Sequence, residues 1–205
     1  MPKRISLIEI SLTDFMEFVN KSGGSKMTKV KEIKYRPGYN PSTDFYKPLR
    51  EGLIDIHQSL KSKTDLKNIL DRLTDKKKID NYPIAIEGYK KFWGRKTISW
   101  FAPPFCHWRI GDLGVRINPE LGIEFGGIFY AVKLYFKPAK LTKDKVSQIL
   151  SLMEDQLRGH TEPEVVFAVL DIKNNKFFSN DGKDTSYVPL LQGEARSFET
   201  IWKKV

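Results

Sequence analysis

Apolar residues recur along this chain at two periods, and the change from one to the other falls near residue 96. Upstream, helical spacing prevails. After an extended entry that begins at about residue 5, Phe15, Phe18 and Val19 form an i, i+3, i+4 stripe, with Thr13 as the expected N-cap. Ser22-Gly23-Gly24-Ser25 stops that helix. Residues 26–36 then place Met27, Val30 and Ile33 at every third position among Lys26, Lys29, Lys31, Lys34 and Arg36. Pro37-Gly38-Tyr39-Asn40-Pro41 predicts a turn. Ser42 is placed to cap a second helix through Leu49, Leu53, Ile54 and Ile56, with Asp44 in its first turn and Pro48 near its start. A third helix is predicted over 64–74, capped by Thr64 and carrying Leu66, Ile69, Leu70 and Leu73. The charged link Asp75-Lys76-Lys77-Lys78 leads to a fourth over 80–93, with Ile84, Ile86, Tyr89, Phe92 and Trp93, ended by Gly94.

Downstream the pattern is that of strands. Residues 97–101, 108–110 and 113–118 read as short extended segments, with β-branched Val115 and Ile117. Residues 122–125 and 128–136 flank Gly126-Gly127, a two-residue hairpin signal. Thr142 caps a helix to Arg158 with Val146, Ile149, Leu150, Met153 and Leu157 on one face. Glu164–Ile172 is almost continuously apolar, as a strand buried on both faces requires. Asn174-Asn175 turns the chain into Lys176-Phe177-Phe178, and a polar loop and a short helix over about 194–203 finish it. The predicted fold class is α+β: N-terminal helices, then an α-β-β-β-α-β core with a mixed central sheet. No linker marks the change near residue 96, so the expectation is one domain over 1–205, with a basic helical part (1–95) and a sheet-containing core (96–205).

Composition narrows the class. The 205 residues suffice for one well-buried core, and 40% hydrophobic with 12% aromatic residues excludes a disordered chain. The net charge of +10 is uneven: residues 1–100 carry +9 and residues 101–205 carry +1. A lopsided basic surface suits a polyanion, and a solvated lysine-rich surface accounts for it equally well. The single cysteine, Cys106, excludes an intrachain disulfide and fits a reducing, cytoplasmic setting. Set among Pro103, Pro104, Phe105 and Trp108, Cys106 reads as packing rather than as a nucleophile. Three histidines and one cysteine do not make a zinc site. No apolar run approaches the ~20 residues of a membrane span, and Glu9 and Asp14 interrupt any signal-like start. Ser22–Lys26 lacks the spacing of a phosphate loop.

One residue breaks the apolar pattern most sharply: Lys133, inside Ile128–Phe136. An isolated buried charge costs far more than one strand returns, so the ammonium requires an acid, a phosphate or an escape to an edge. A pairing acid, Glu120, stands close by after Asn118-Pro119, one predicted strand earlier. Alternation puts Ala131, Lys133 and Tyr135 on one face, and Arg116 and Asn118 on another, which Glu120 joins if the strand stays regular through Pro119. If the register brings those faces together, Arg116, Glu120 and Lys133 form one polar cluster. It has two readings, a catalytic constellation and a structural ion-pair network.

From about residue 80 to 173, the order helix, three-strand meander, helix, buried strand resembles the core of the PD-(D/E)XK nuclease superfamily. Pro119-Glu120 matches its first acidic motif, with Glu for the commoner Asp, and Lys133 matches the lysine of its acid-x-Lys triplet. The resemblance implies metal-dependent phosphodiester hydrolysis, with carboxylates holding Mg²⁺ and the lysine positioning the attacking water. It assigns Glu120 and Lys133 to catalysis and Glu120 to the metal. The chain departs from the pattern at Ala131, which stands where the triplet's acid belongs. Glu124 at the hairpin, or Glu87 on the helix before the meander, would have to supply the missing carboxylate. Asp171-Ile172-Lys173 is a literal acid-x-Lys, but a helix rather than an acid-bearing strand precedes it.

The expected phosphate contacts are Lys29, Lys31, Lys34, Arg36, Lys90, Lys91, Arg95, Lys96 and Arg116, with Tyr35, Tyr39 and Trp93 for base stacking. Three functions stay open at this level: a Mg²⁺-dependent nuclease acting on DNA or RNA, an inactive nucleic-acid-binding or protein-interaction module of the same fold, and a protein partner or homo-oligomer whose lysines only solvate it.

Overall fold

The computed structural model describes residues 7–37, 44–71 and 73–205. The sequence-predicted cap Ser42 and residues 38–41 of the predicted turn lie outside them. Strand β1 (Ile8–Ser11) runs directly into helix α1 (Leu12–Val19), because Ser11 Oγ accepts from the Asp14 amide at 3.0 Å. Ser11, not Thr13, is therefore the cap. Helix α2 (Gly24–Lys34) follows Gly23, which holds a φ of 49°. Helix α3 (Lys47–Gln58) has Pro48 in its first turn, where the missing N–H costs nothing. The expected third helix is a 3₁₀ segment, Lys63–Ile69, held by a capping box between Ser62 and Asp65 rather than by Thr64. Helix α4 (Lys76–Trp93) begins at the lysine triplet, because Asp75 caps the Lys78 amide.

Two sheets follow. Strands β3 (Cys106–Ile110) and β4 (Leu113–Ile117) form a hairpin, and β1 adds to β4 in parallel, giving the order β1-β4-β3. The central five-stranded sheet has the order β2-β5-β6-β7-β8, from β2 (Ser99–Phe101), β5 (Leu121–Phe125), β6 (Ile128–Tyr135), β7 (Val166–Asp171) and β8 (Lys176–Ser179). Its pairs are antiparallel except β6–β7, which are parallel and joined by the crossover helix α5 (Lys143–Leu157), capped by Thr142. Helix α6 (Val188–Lys204) closes the chain and is longer than its pattern predicted. The protein is α+β, with the α-β-β-β-α-β order carried by α4, β2, β5, β6, α5 and β7, and the β3–β4 hairpin inserted after β2.

Each face of the central sheet has its own apolar core. On one face Ala131, Tyr135, Phe167 and Val169 pack with α1, α5, α6 and the inner side of the three-stranded sheet (Ile8, Ile10, Trp108, Val115). On the other, Val132, Leu134, Ala168 and Leu170 pack with α3 and α4 through Leu53, Tyr82, Ile86 and Tyr89. Strand β7 is buried on both sides, as its unbroken apolar run predicts.

Candidate functional site

The register of the β5–β6 hairpin decides where the singular lysine goes. Gly126 and Gly127, at φ 61° and 78°, make the tight turn, and Leu121 pairs with Val132. Glu120 therefore arrives beside Lys133. The Lys133 ammonium lies 2.5 Å from Glu120 Oε1 and donates to the Asn118 carbonyl at 3.2 Å. The Leu134 amide donates to Glu120 Oε2 at 2.7 Å. Both carboxylate oxygens are thus engaged, and the two side chains are only 10% and 8% exposed. Beside Lys133 is a cavity of about 20 Å³, lined with Leu12, Met16, Lys145 and Ile149 among others. That space is the size of a single water and does not admit a phosphodiester.

Arg116 does not join this pair. At Asn118-Pro119 the chain leaves one sheet for the other, because Pro119 has no N–H with which to extend the ladder. Arg116 stays on β4 and is exposed, pairing across strands with Ser11 and His107.

The carboxylates that Mg²⁺ would need are also apart. Glu124 is four residues from Glu120 on the same stretch of chain, about 13 Å away. Its oxygens accept from Ser99 Oγ at 2.6 Å and the Gly127 amide at 3.2 Å. Glu87 lies on exposed α4, on the other side of the central sheet, and pairs with Lys90 at 2.7 Å. Ala131 is fully buried and offers no oxygen. Oxygen ligands sit about 2.0–2.6 Å from a divalent cation, so its carboxylates must converge within roughly 5 Å. Glu120, Glu124 and Glu87 do not fit Mg²⁺, and the described residues hold no cluster of three or more potential ligands. Asp171 of the second acid-x-Lys is buried and accepts from the amide and side chain of Asn174, so it builds a turn.

The expected phosphate contacts divide by what they touch. Lys29 is buried against Glu17 (2.7 Å) and Asp14 (3.6 Å). Lys34 donates to the carbonyls of Trp202 and Val205, anchoring the last turn of α6. Arg36 holds Asp14 through both guanidinium nitrogens and keeps its carboxyl below the usual range, against the opposing effect of burial. Lys90 is paired with Glu87, and Lys96 donates to the Phe92 carbonyl over the Phe92 ring. Lys31, Lys91, Arg95 and Arg116 are exposed and, among the described residues, meet no intramolecular partner. Lys91 lines an open groove of about 510 Å³ between α4 and the β7–β8 turn, together with Lys173, Asn174 and Asn175 and, from α4, Pro83, Ile84, Glu87 and Gly88. Gly88 of α4 sits where a Cβ would meet the Ile172 carbonyl at 2.0 Å, the close helix–strand approach that a lone glycine in a helical pattern signals.

The other titratable groups are structural. Burial pushes the Cys106 thiol up, away from a reactive thiolate. His57 is buried with Nε2 2.6 Å from the Tyr89 hydroxyl, and burial lowers its pKa to about 4. No helix of the described residues is long and apolar enough to cross a membrane. No protein-family model matches the chain, and no curated protein sequence shows significant similarity to it.

Proposed function

We propose that this chain is a nucleic-acid-binding protein with a PD-(D/E)XK-like core whose cleavage site has become an internal ion pair, working in a reducing, cytoplasmic setting. The observation that carries this reading is the sealed Lys133–Glu120 pair: the amine that would orient a water instead neutralises a carboxylate, beside space for one water molecule. One surface that could take a polyanion is the α4 groove. Lys91 and Lys173 line it with the amides of Asn174 and Asn175, against one carboxylate, Glu87, which Lys90 partly neutralises; Arg95 is exposed just beyond the end of α4. These groups suit phosphate oxygens, and contacts to phosphate carry no sequence information, so binding through them is expected to be weakly sequence-selective and strongly salt-dependent.

The test is a binding isotherm against salt, with and without Mg²⁺, on duplex and single-stranded oligonucleotides. Binding without Mg²⁺ is expected, and the Lys91→Ala, Arg95→Ala double variant should flatten the duplex salt slope by roughly 2. Mg²⁺-dependent plasmid cleavage that disappears in a folded Lys133→Ala variant would restore the nuclease reading. Absence of any binding at low salt would leave a protein-interaction module.

A further inference from the structure

The three-stranded sheet covers a core with one face and leaves the other open. Pairing arranges that outer face as a small grid. One row is Glu9, Gly114 and Arg109; the next is Ser11, Arg116 and His107. Glu9, His107, Arg109 and Arg116 are all exposed, while Ile10, Trp108 and Val115 point inward. Glu9 reaches across Gly114, where a Cβ would meet its carboxylate at 2.9 Å, and approaches Arg109 at 3.6 Å and His107 at 3.8 Å. Arg116 has no such neighbour among the described residues. Phe105, just before β3, is 64% exposed, and its ring lies 6.4 Å from that of His107 in an edge-on arrangement. Pro103 and Pro104 precede it and fix their own backbone angles, so the ring stands on a stiff segment that loses little freedom on binding.

We propose that this face binds single-stranded nucleic acid, with Phe105 and His107 stacking on unpaired bases and Arg109 and Arg116 holding the adjacent phosphates. The inference rests on the nucleic-acid reading above but uses a different surface. The occupant is argued from chemistry. Two guanidiniums against one carboxylate leave the face cationic, and a guanidinium serves both to grip phosphate and to stack on a base. An exposed aromatic beside those charges has no use for a duplex, whose base faces are hidden, but meets the π-face of any unpaired base. The Glu9–Arg109 contact is half-exposed at both ends and therefore weak, so phosphate can displace it.

Fluorescence anisotropy with oligothymidylate, oligouridylate, an abasic strand of the same length and a duplex tests the proposal. Phe105→Ala should weaken binding to both base-bearing strands by roughly five- to 150-fold and leave the abasic strand unchanged. Arg116→Ala should lower the single-strand salt slope by about 0.7. Glu9→Gln should tighten binding by removing the competing carboxylate. The two base-bearing strands separate an RNA ligand from a DNA one. If Phe105→Ala and Arg116→Ala bind single strands as the wild type does, while the Lys91→Ala, Arg95→Ala variant weakens them, the groove alone binds and the sheet-face proposal is overturned. Capture of polyglutamate with no oligonucleotide binding overturns it in favour of an acidic protein partner. If nothing binds, the proposed function falls with it. All these side chains are exposed, and circular dichroism checks that each variant is folded.

Discussion

A carboxylate and an amine that meet inside a protein either share work on a ligand or cancel each other, and accessibility decides which. At Glu120 and Lys133 both members are engaged: one oxygen holds the ammonium, the other accepts from the Leu134 amide, and the ammonium donates further to the Asn118 carbonyl. Removing one member leaves the other largely buried without its counter-charge. Lys133→Met should therefore destabilise the protein by about 3–5 kcal/mol, and pairing it with Glu120→Gln should recover most of that loss. Urea denaturation of the single and double variants measures it. A preserved catalytic site behaves in the opposite way, since replacing functional charges commonly raises stability. A more stable Lys133→Met would thus count against the structural reading.

Helix α4 shows how one element serves packing and surface together. Its buried side carries Tyr82, Ile86 and Tyr89, and Gly88 lets its backbone approach the end of β7. In Gly88→Ala the new methyl meets a backbone carbonyl, which cannot rotate away as a side chain would. The helix must then lift from the sheet, at a cost of about 2–3 kcal/mol read as a lowered denaturation midpoint. The same movement opens the groove floor, so duplex binding should weaken along with stability. Tyr89 links α4 to α3 through His57. Buried and neutral, His57 resists protonation until about pH 4, whereas the unfolded chain takes up the proton near 6.5. As pH falls through that window the unfolded state binds the extra proton, so stability declines, by about 3 kcal/mol in total from this group. Urea midpoints at several pH values between 7 and 4 should trace the fall, and His57→Gln should flatten it.

At the scale of the whole molecule, the sequence and the structure agree on what is local and part on what is not. The β5–β6 hairpin, the Thr142 cap, the buried β7 and the crossover between β6 and β7 were legible because short motifs fix each of them. The parallel pairing of β1 with β4 joins residue 8 to residue 113 and leaves no local trace. It also takes Arg116 away from Lys133. The fate of Lys133 was hidden for the same reason: the α1 residues that line its cavity come from the other end of the chain. Charge distribution was misread likewise, since Lys29, Lys34 and Arg36 look free in a basic segment and prove to hold α1, α2 and α6 together. What survives is a protein with uncommitted cations on two sides. The α4 groove lies on one side of the central sheet, and Arg116 lies on the outer face of the three-stranded sheet, which packs on α1, α5 and α6 on the other side. A short oligonucleotide cannot touch both. Titration calorimetry should therefore find two independent sites for short single strands, and the losses from the Lys91→Ala, Arg95→Ala pair and from Arg116→Ala should add within about 0.5 kcal/mol. A single stoichiometric site lost through only one set of variants would mean that one surface alone binds, and strong non-additivity between the two sets would mean that they act as one.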